Sequence, residues 1–214
     1  MNLVSILRGN GAGGVGNGTF AASVTFTTGL RPVGIACADF DHDGVLDLAT
    51  ADNGGGTVSV LLGKKTGGRA DGTFAPGVAY PCGNGPYALT TGDFDGDGIV
   101  DIAVTLDIDP GAVTILKGIG DGTFGAGASY PAGSLLTGIA AADVNGDGIT
   151  DLAVAGGAAV SALLGTGTGG IGDGGLEPAV AIEAGASPSD VAFADLTATG
   201  APTSSPPTRP TLRT

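Results

Sequence analysis

One acidic stretch decides how this chain folds: Asp39-Phe40-Asp41-His42-Asp43-Gly44-Val45-Leu46-Asp47. It recurs as Asp93-Phe94-Asp95-Gly96-Asp97-Gly98-Ile99-Val100-Asp101 and as Asp143-Val144-Asn145-Gly146-Asp147-Gly148-Ile149-Thr150-Asp151. Each copy has oxygen side chains at positions 1, 3, 5 and 9, and a glycine at position 6 that lets the backbone turn back on itself. Oxygen ligands at this spacing are typical of a cage for a hard cation such as calcium. The three copies therefore predict a repeat protein with one metal loop in each repeat.

A second motif follows the same period. It ends nineteen residues before the first Asp of each acidic loop, in Gly16-Asn17-Gly18-Thr19-Phe20, Ala70-Asp71-Gly72-Thr73-Phe74 and Gly120-Asp121-Gly122-Thr123-Phe124. Degenerate fourth copies of the two motifs lie at Gly172-Asp173-Gly174-Gly175-Leu176 and at Asp195. Both series advance by 54, 50 and 52 residues, so every length change falls between an acidic loop and the next turn motif. Because loops absorb length changes more easily than packed elements do, the constant spacing predicts one rigid unit per repeat.

Each period contains short apolar runs of strand length separated by glycine-rich turns, without a sustained helical stripe. In the second period we predict four strands, at Tyr87 to Asp93, Asp101 to Leu106, Ala112 to Lys117 and Ala126 to Tyr130. The first strand of each period is built from small residues, as expected where several sheets converge on one axis. About 50 residues per four-stranded unit is typical of a propeller blade. We therefore predict an all-β propeller of four-stranded antiparallel blades.

The sequence holds about three full blades and one partial blade. The segment Val4 to Gly9 matches the third strand of a blade, Val58 to Gly63. The two ends of the chain would share the partial blade, which gives either a closed four-blade ring or an open arc with two free strand edges. Free edges favour self-association. The fourth acidic loop, 195–203, is degenerate, and we expect it to hold no metal because positions 3, 5 and 9 are Thr197, Thr199 and Thr203.

The sequence resembles the FG-GAP and VCBS-type repeats of integrin α-chain propellers and of many secreted bacterial proteins. Four features carry the resemblance: the acidic loops, the Asp-Leu-Ala type strands after them, the strand Val58 to Gly63, and the Gly-Asp-Gly-Thr-Phe turns. It covers about residues 3–199. Since such propellers have about seven blades, the resemblance implies a fragment or a short variant.

The resemblance also implies where calcium binds, namely in the hairpin between the first two strands of each blade. About three ions are implied. The implied ligands are four side chains and the carbonyl at position 7 of each loop: Asp39, Asp41, Asp43, Val45 and Asp47; Asp93, Asp95, Asp97, Ile99 and Asp101; Asp143, Asn145, Asp147, Ile149 and Asp151.

Composition limits the classes of partner and location. The net charge of −13 argues against a nucleic acid or an anionic membrane as partner. No run has membrane-spanning length, and we expect no signal peptide within this sequence. We assign residues 1–200 to the repeats and predict a disordered tail at 201–214, where four prolines exclude an interior strand.

Catalysis is not predicted. The only histidine, His42, falls at a loop position that points away from the cage, so no nucleophile has a base beside it. An EF-hand is excluded because position 12 lacks the bidentate Glu and is instead Thr50, Val104 or Val154. Metal-free turns, in which Asp bonds its own backbone, remain the simpler alternative for the acidic loops.

Two functions fit these features. The first is a calcium-binding scaffold of a secreted or cell-surface protein that mediates adhesion or protein interaction, since calcium at extracellular concentrations would fill such sites. The second is the non-catalytic or substrate-binding propeller portion of a secreted polysaccharide-acting enzyme or lectin. The partner is accordingly a protein or a glycan.

Overall fold

The chain forms β-structure throughout the part that the structure describes. This structure is a computed structural model that describes residues 2–12, 15–185 and 187–193. Over these residues it has no helix, and so none with the length and apolar character needed to cross a membrane. The strands are β1 (Leu3–Ile6), β2 (Gly9–Ala12), β3 (Val15–Phe20), β4 (Val24–Thr27), β5 (Pro32–Ala38), β6 (Asp47–Asp52), β7 (Thr57–Leu61), β8 (Gly63–Thr66), β9 (Arg69–Phe74), β10 (Val78–Pro81), β11 (Pro86–Gly92), β12 (Asp101–Leu106), β13 (Gly111–Leu116), β14 (Ala128–Gly133), β15 (Leu136–Ala142), β16 (Asp151–Gly156), β17 (Ala159–Leu163), β18 (Gly165–Thr168), β19 (Ile171–Leu176) and β20 (Val180–Glu183).

Three four-stranded antiparallel sheets correspond to the three repeats with intact acidic loops. The strand orders are β5-β6-β7-β10 in the first sheet, β11-β12-β13-β14 in the second and β15-β16-β17-β20 in the third. One line of paired residues crosses the first sheet through Ala36, Ala49, Val60 and Val78, and the equivalent residues are paired in the other two sheets. The all-β class and the antiparallel sheets are thus confirmed, and the strands of the second period lie within three residues of their predicted bounds.

The first strands of neighbouring sheets pack against one another, β5 against β11 and β11 against β15. A side chain at Gly34 of β5 would collide with the Tyr87 carbonyl of β11, so this approach requires glycine. The second strands β6, β12 and β16 are buried along their whole length. Small residues on the first strands therefore allow the sheets to converge, as the sequence predicts.

A short segment of the fourth repeat lies against the third sheet. Gly138 of β15 would place a Cβ 2.7 Å from the Cα of Asp190, and the Thr137 hydroxyl donates to the Ser189 carbonyl at 3.1 Å. Val191 is buried there among Ala153, Ala155 and Val160. Asp190 follows Gly138 by 52 residues, which is the spacing between the third and fourth repeats. This segment therefore lies where the first strand of a fourth repeat would lie. The degenerate loop 195–203 and the tail 201–214 lie outside the described residues.

The strands β1 and β4 form a two-stranded sheet that corresponds to the third and fourth strands of a repeat. Val4 pairs with Phe26 as Val58 pairs with Tyr80 in the first sheet. The outer face of β5 is open: Ile35 is 52% exposed, whereas its equivalents Leu89 and Ile139 pack against the core. Ring closure and self-association through an open edge stay predictions.

Neighbouring repeats are joined by a contact between the two sequence motifs. The turn motif between the third and fourth strands of the second and third sheets lies on the acidic loop of the preceding sheet. The Gly122 amide donates to the Phe40 carbonyl at 3.1 Å, and the Gly174 amide donates to the Phe94 carbonyl at 3.1 Å. The Phe40 and Phe124 rings meet edge to face with centroids 5.3 Å apart. Both motifs thus belong to one interface between repeats.

This interface makes equivalent phenylalanines unequal. Phe124 is 7% exposed and packs on Phe40, whereas Phe20, at the same place in its own motif, is 65% exposed. We expect Phe124→Ala to lower the free energy of unfolding by about 3 to 5 kcal/mol through lost burial and a new cavity. The matched change Phe20→Ala should stay within about 0.5 kcal/mol of the parent chain. Urea unfolding of both variants checks this, and equal losses would show that the interface does not hold the repeats together.

Candidate metal sites

The last aspartate of each acidic loop is fully buried and held by two amides. One oxygen of Asp47 accepts from the Phe40 amide at 2.8 Å, and the other accepts from the Gly63 amide at 2.7 Å. Asp101 and Asp151 repeat this arrangement with distances of 2.8 to 2.9 Å. Each carboxylate thereby ties the start of its loop to the residue two positions beyond the third strand.

The other loop carboxylates turn inward because they accept from the loop's own backbone. The first aspartate, Asp39 or its equivalents, accepts from the amide of the glycine at position 6 at 2.8 to 2.9 Å. That glycine has φ between 82° and 86°, a conformation that favours glycine. The aspartate at position 5 accepts from the amide at position 7 at 2.8 Å in all three loops. This bond also fixes the peptide units around the predicted carbonyl ligands Val45, Ile99 and Ile149.

These bonds bring carboxylates together in two of the three loops. Ligand atoms of Asp39, Asp41 and Asp43 lie within 4.8 Å of one another, and so do those of Asp93, Asp95 and Asp101. In each of these loops one further predicted carboxylate ligand, Asp47 or Asp97, lies in the same loop but outside that group. The third loop differs because Asn145 replaces a carboxylate and donates to Asp147 at 2.8 Å. The candidate ligand atoms are all oxygens. Oxygen ligands favour calcium over metals that prefer thiolate or imidazole ligands.

Burial makes the last carboxylate of each loop costly to ionise. It raises the pKa of Asp101 to about 6 even though the amides of Gly118 and Phe94 favour the ionised form. The charges of Asp95 and Asp97 raise this pKa further. Burial likewise raises the pKa of Asp47 and Asp151. A divalent cation in the loop would supply the missing counter-charge.

Two lysines, which the sequence patterns did not indicate, pair with loop carboxylates. Lys117 lies 2.7 Å from Asp95, and Lys65 lies 3.2 Å from Asp43 and also donates to the Asp43 carbonyl. Partial burial alone would raise the pKa of Asp95, but the hydrogen bond and charge of Lys117, together with hydrogen bonds with Asp97, outweigh it and lower the pKa. The contact with Asp95 also raises the pKa of Lys117. No sequence signal marks these lysines, because each lies outside the nine-residue loop that it contacts.

Other acidic turns in the same chain show what a simple turn looks like. Asp71 accepts from the amide and hydroxyl of Thr73 and from the hydroxyl of Thr66, and these bonds lower its pKa. It stands alone, without a second carboxylate in its turn. His42 is exposed, and its φ of 55° lies where the other two loops have Gly96 and Gly146. The acidic loops thus differ from simple turns in their clustered and buried carboxylates.

A pH dependence follows from the raised pKa of Asp101. Between its ordinary value of 3.8 and about 6, the folded chain binds more protons than the unfolded chain. This contribution to stability is complete below the lower value and is lost as the pH rises through the upper one. In metal-free buffer the free energy of unfolding should therefore fall between about pH 4 and pH 7.

The variant Asp101→Asn should remove part of that fall, because it cannot titrate. Asp121→Asn is the control, since hydrogen bonds from Thr123 lower the pKa of Asp121 and keep it ionised throughout the window. Urea unfolding at several pH values measures the slopes. Parallel curves for the parent chain and Asp101→Asn would contradict the assignment.

Comparison with known proteins agrees with this geometry. A family model described as an FG-GAP-like repeat matches residues 2–50 and 93–154, which together are just over half of the chain. The matched segments contain all three intact acidic loops. A search of curated proteins found no match. The resemblance drawn from the loop residues is confirmed, and the chain belongs to the family of FG-GAP-like repeat proteins.

Proposed function

We propose that this chain is a calcium-stabilised, β-propeller-like module that mediates adhesion or protein interaction and carries out no chemistry of its own. FG-GAP-like repeats suggest a β-propeller-like interaction domain. The observation that carries the metal proposal is the grouping of three carboxylates within 4.8 Å in each of the first two loops. The function of the module is then to present a rigid surface, while the metal keeps the repeats in place.

Calcium is the cation that the ligand set favours. Its coordination takes six to eight oxygens in a flexible geometry, and a loop with several carboxylates and one carbonyl supplies most of them. Magnesium demands a tighter octahedron and retains several waters. Asp93, Asp95 and Asp101 would hold the ion in the second loop, and the Ile99 carbonyl would complete the protein's share.

The proposed role of the ion is structural. Several carboxylates in one short loop repel one another, and a bound divalent ion turns that repulsion into attraction. The loop also carries part of the contact between repeats, because the Phe40 carbonyl accepts from Gly122 of the following repeat. Ordering the first loop therefore supports the interface with the second sheet as well as its own hairpin.

The proposed location is outside the cell or on its surface. Sites built from loops of this kind in extracellular modules bind calcium at about 0.1 to 1 mM, a level found outside cells and far above that of cytosol. The sites of such a module would be largely empty in the cytosol and filled outside the cell, so the module would be more stable outside. The proposed partner is a protein; a glycan ligand would instead favour the lectin-like alternative.

Removing one carboxylate tests the ligand assignment. We expect Asp95→Ala to lower the number of calcium ions bound per chain from about three to about two, because the second loop loses a ligand from its group. In millimolar calcium the variant should unfold about 1 to 3 kcal/mol more easily than the parent chain, and this deficit should vanish in chelator. Isothermal titration calorimetry and urea unfolding give the two readouts.

The matched control is Asp121→Ala, which removes an exposed carboxylate from a turn motif and should leave the calcium number unchanged. If Asp95→Ala bound as many ions as the parent chain with unchanged affinity, the second loop would not be a calcium site.

A further inference from the structure

We infer that Lys65 and Lys117 are built-in counter-ions that lower the calcium affinity of the first two loops to that of the third. This inference rests on the proposed calcium binding and adds which residues set its strength. It starts from the two ion pairs, Lys65 with Asp43 and Lys117 with Asp95, in which each ammonium meets a predicted metal ligand.

The charges of the three sites become equal only when the lysines are included. The first and second loops each carry four carboxylates, whereas the third carries three because Asn145 is neutral. Each of the first two loops has one paired lysine, and among the described residues no Lys or Arg pairs with a carboxylate of the third loop. Counting only the loop carboxylates and the lysines paired with them, each of the three sites carries a net charge of −3.

The second and third loops show this compensation at one equivalent position. Lys117 pairs with Asp95, the residue at loop position 3, and the third loop has Asn145 at that position. An Asp paired with an ammonium and a neutral Asn contribute the same net charge. In the third loop the Asn145 amide bonds Asp147, so a donor reaches a ligand carboxylate there as well.

The first loop reaches the same charge from a different place in the repeat. Lys65 lies on β8, two residues after Gly63, whereas Lys117 directly precedes Gly118, the equivalent glycine of the second repeat. The two lysines are therefore not copies of one repeat position. What they share is their contact with a loop of four carboxylates.

Each lysine would oppose calcium in two ways. Its ion pair engages one oxygen of a carboxylate that the ion needs, and its charge repels the ion. A unit charge about 6 Å from a divalent ion, in a dielectric near that of water, changes binding by about a factor of ten before salt screening. Removing one lysine should therefore tighten its own site by about three- to tenfold.

A site-resolved calcium titration tests the inference. The amides of Gly44, Gly98 and Gly148 each donate to the first aspartate of their own loop, so their NMR signals report the three sites separately. We expect similar dissociation constants at the three signals in the parent chain. Lys117→Met should lower the constant by about three- to tenfold at Gly98 alone, and Lys65→Met should do so at Gly44 alone.

Lys64→Met is the matched control. It makes the same change in net charge one residue away on β8, but Lys64 forms no ion pair with a loop carboxylate in the described structure, so all three constants should hold. Lys117→Gln is a second, polar replacement, and a comparison of its NMR spectrum with that of the parent chain shows whether it keeps the fold. Asn145→Asp adds an uncompensated carboxylate to the third loop and should tighten the Gly148 site by a similar factor.

The outcomes separate this inference from the proposed function. If calcium moved none of the three glycine signals in the parent chain, both would be overturned. If calcium bound but Lys117→Met and Lys117→Gln left the Gly98 constant unchanged, the inference would fail while calcium binding stood. Equal tightening by Lys64→Met and Lys65→Met would also overturn it, because overall charge rather than the paired lysine would then set affinity.

Discussion

The structure depends on one buried carboxylate in each repeat, the last aspartate of the acidic loop. Asp47, Asp101 and Asp151 are each fully buried, and each accepts from two amides, one at the start of its loop and one just beyond the third strand. This pair of bonds fixes the loop relative to the sheet, and it does so with a charge that burial disfavours. The raised pKa of Asp101 expresses that conflict. A positive charge beside the first hairpin of each repeat would lower the cost of keeping this carboxylate ionised.

Two such sources fit the loops, a bound calcium ion and a nearby lysine. The lysines are present in the chain and pair with the more acidic two loops, while the ion is the proposed larger counter-charge. Because the carbonyl of Phe40 also receives the Gly122 amide of the next repeat, the order of a loop bears on the packing of neighbouring sheets. The proposed metal binding, the charge balance and the contact between repeats thus involve the same few residues.

Much of this arrangement is predictable from the sequence, because the acidic loop motif occurs three times at a regular spacing. Period, strands and family follow from the acidic loops, since position-specific Asp and Gly residues dictate local backbone geometry. Contacts between distant residues do not follow in this way. Phe40 meets Phe124 from the next repeat, and Lys65 meets Asp43 from a hairpin arm, because only the packed sheets bring these side chains together. The exposure of Ile35 could not be predicted from the sequence either. Its equivalents Leu89 and Ile139 pack against the core, and the repeat pattern gives the same environment for all three residues.

A thermal melt of the chain in millimolar calcium and again in excess chelator tests directly whether the acidic loops bind a structural metal. A ligand at about 100 times its dissociation constant adds about 2.7 kcal/mol per independent site, so several sites should raise the melting midpoint by many degrees. We expect a large upward shift in calcium, because the ion would supply a counter-charge for the clustered and buried carboxylates. Coincident curves for a folded chain would contradict it, and the acidic loops would then be turns held by hydrogen bonds alone.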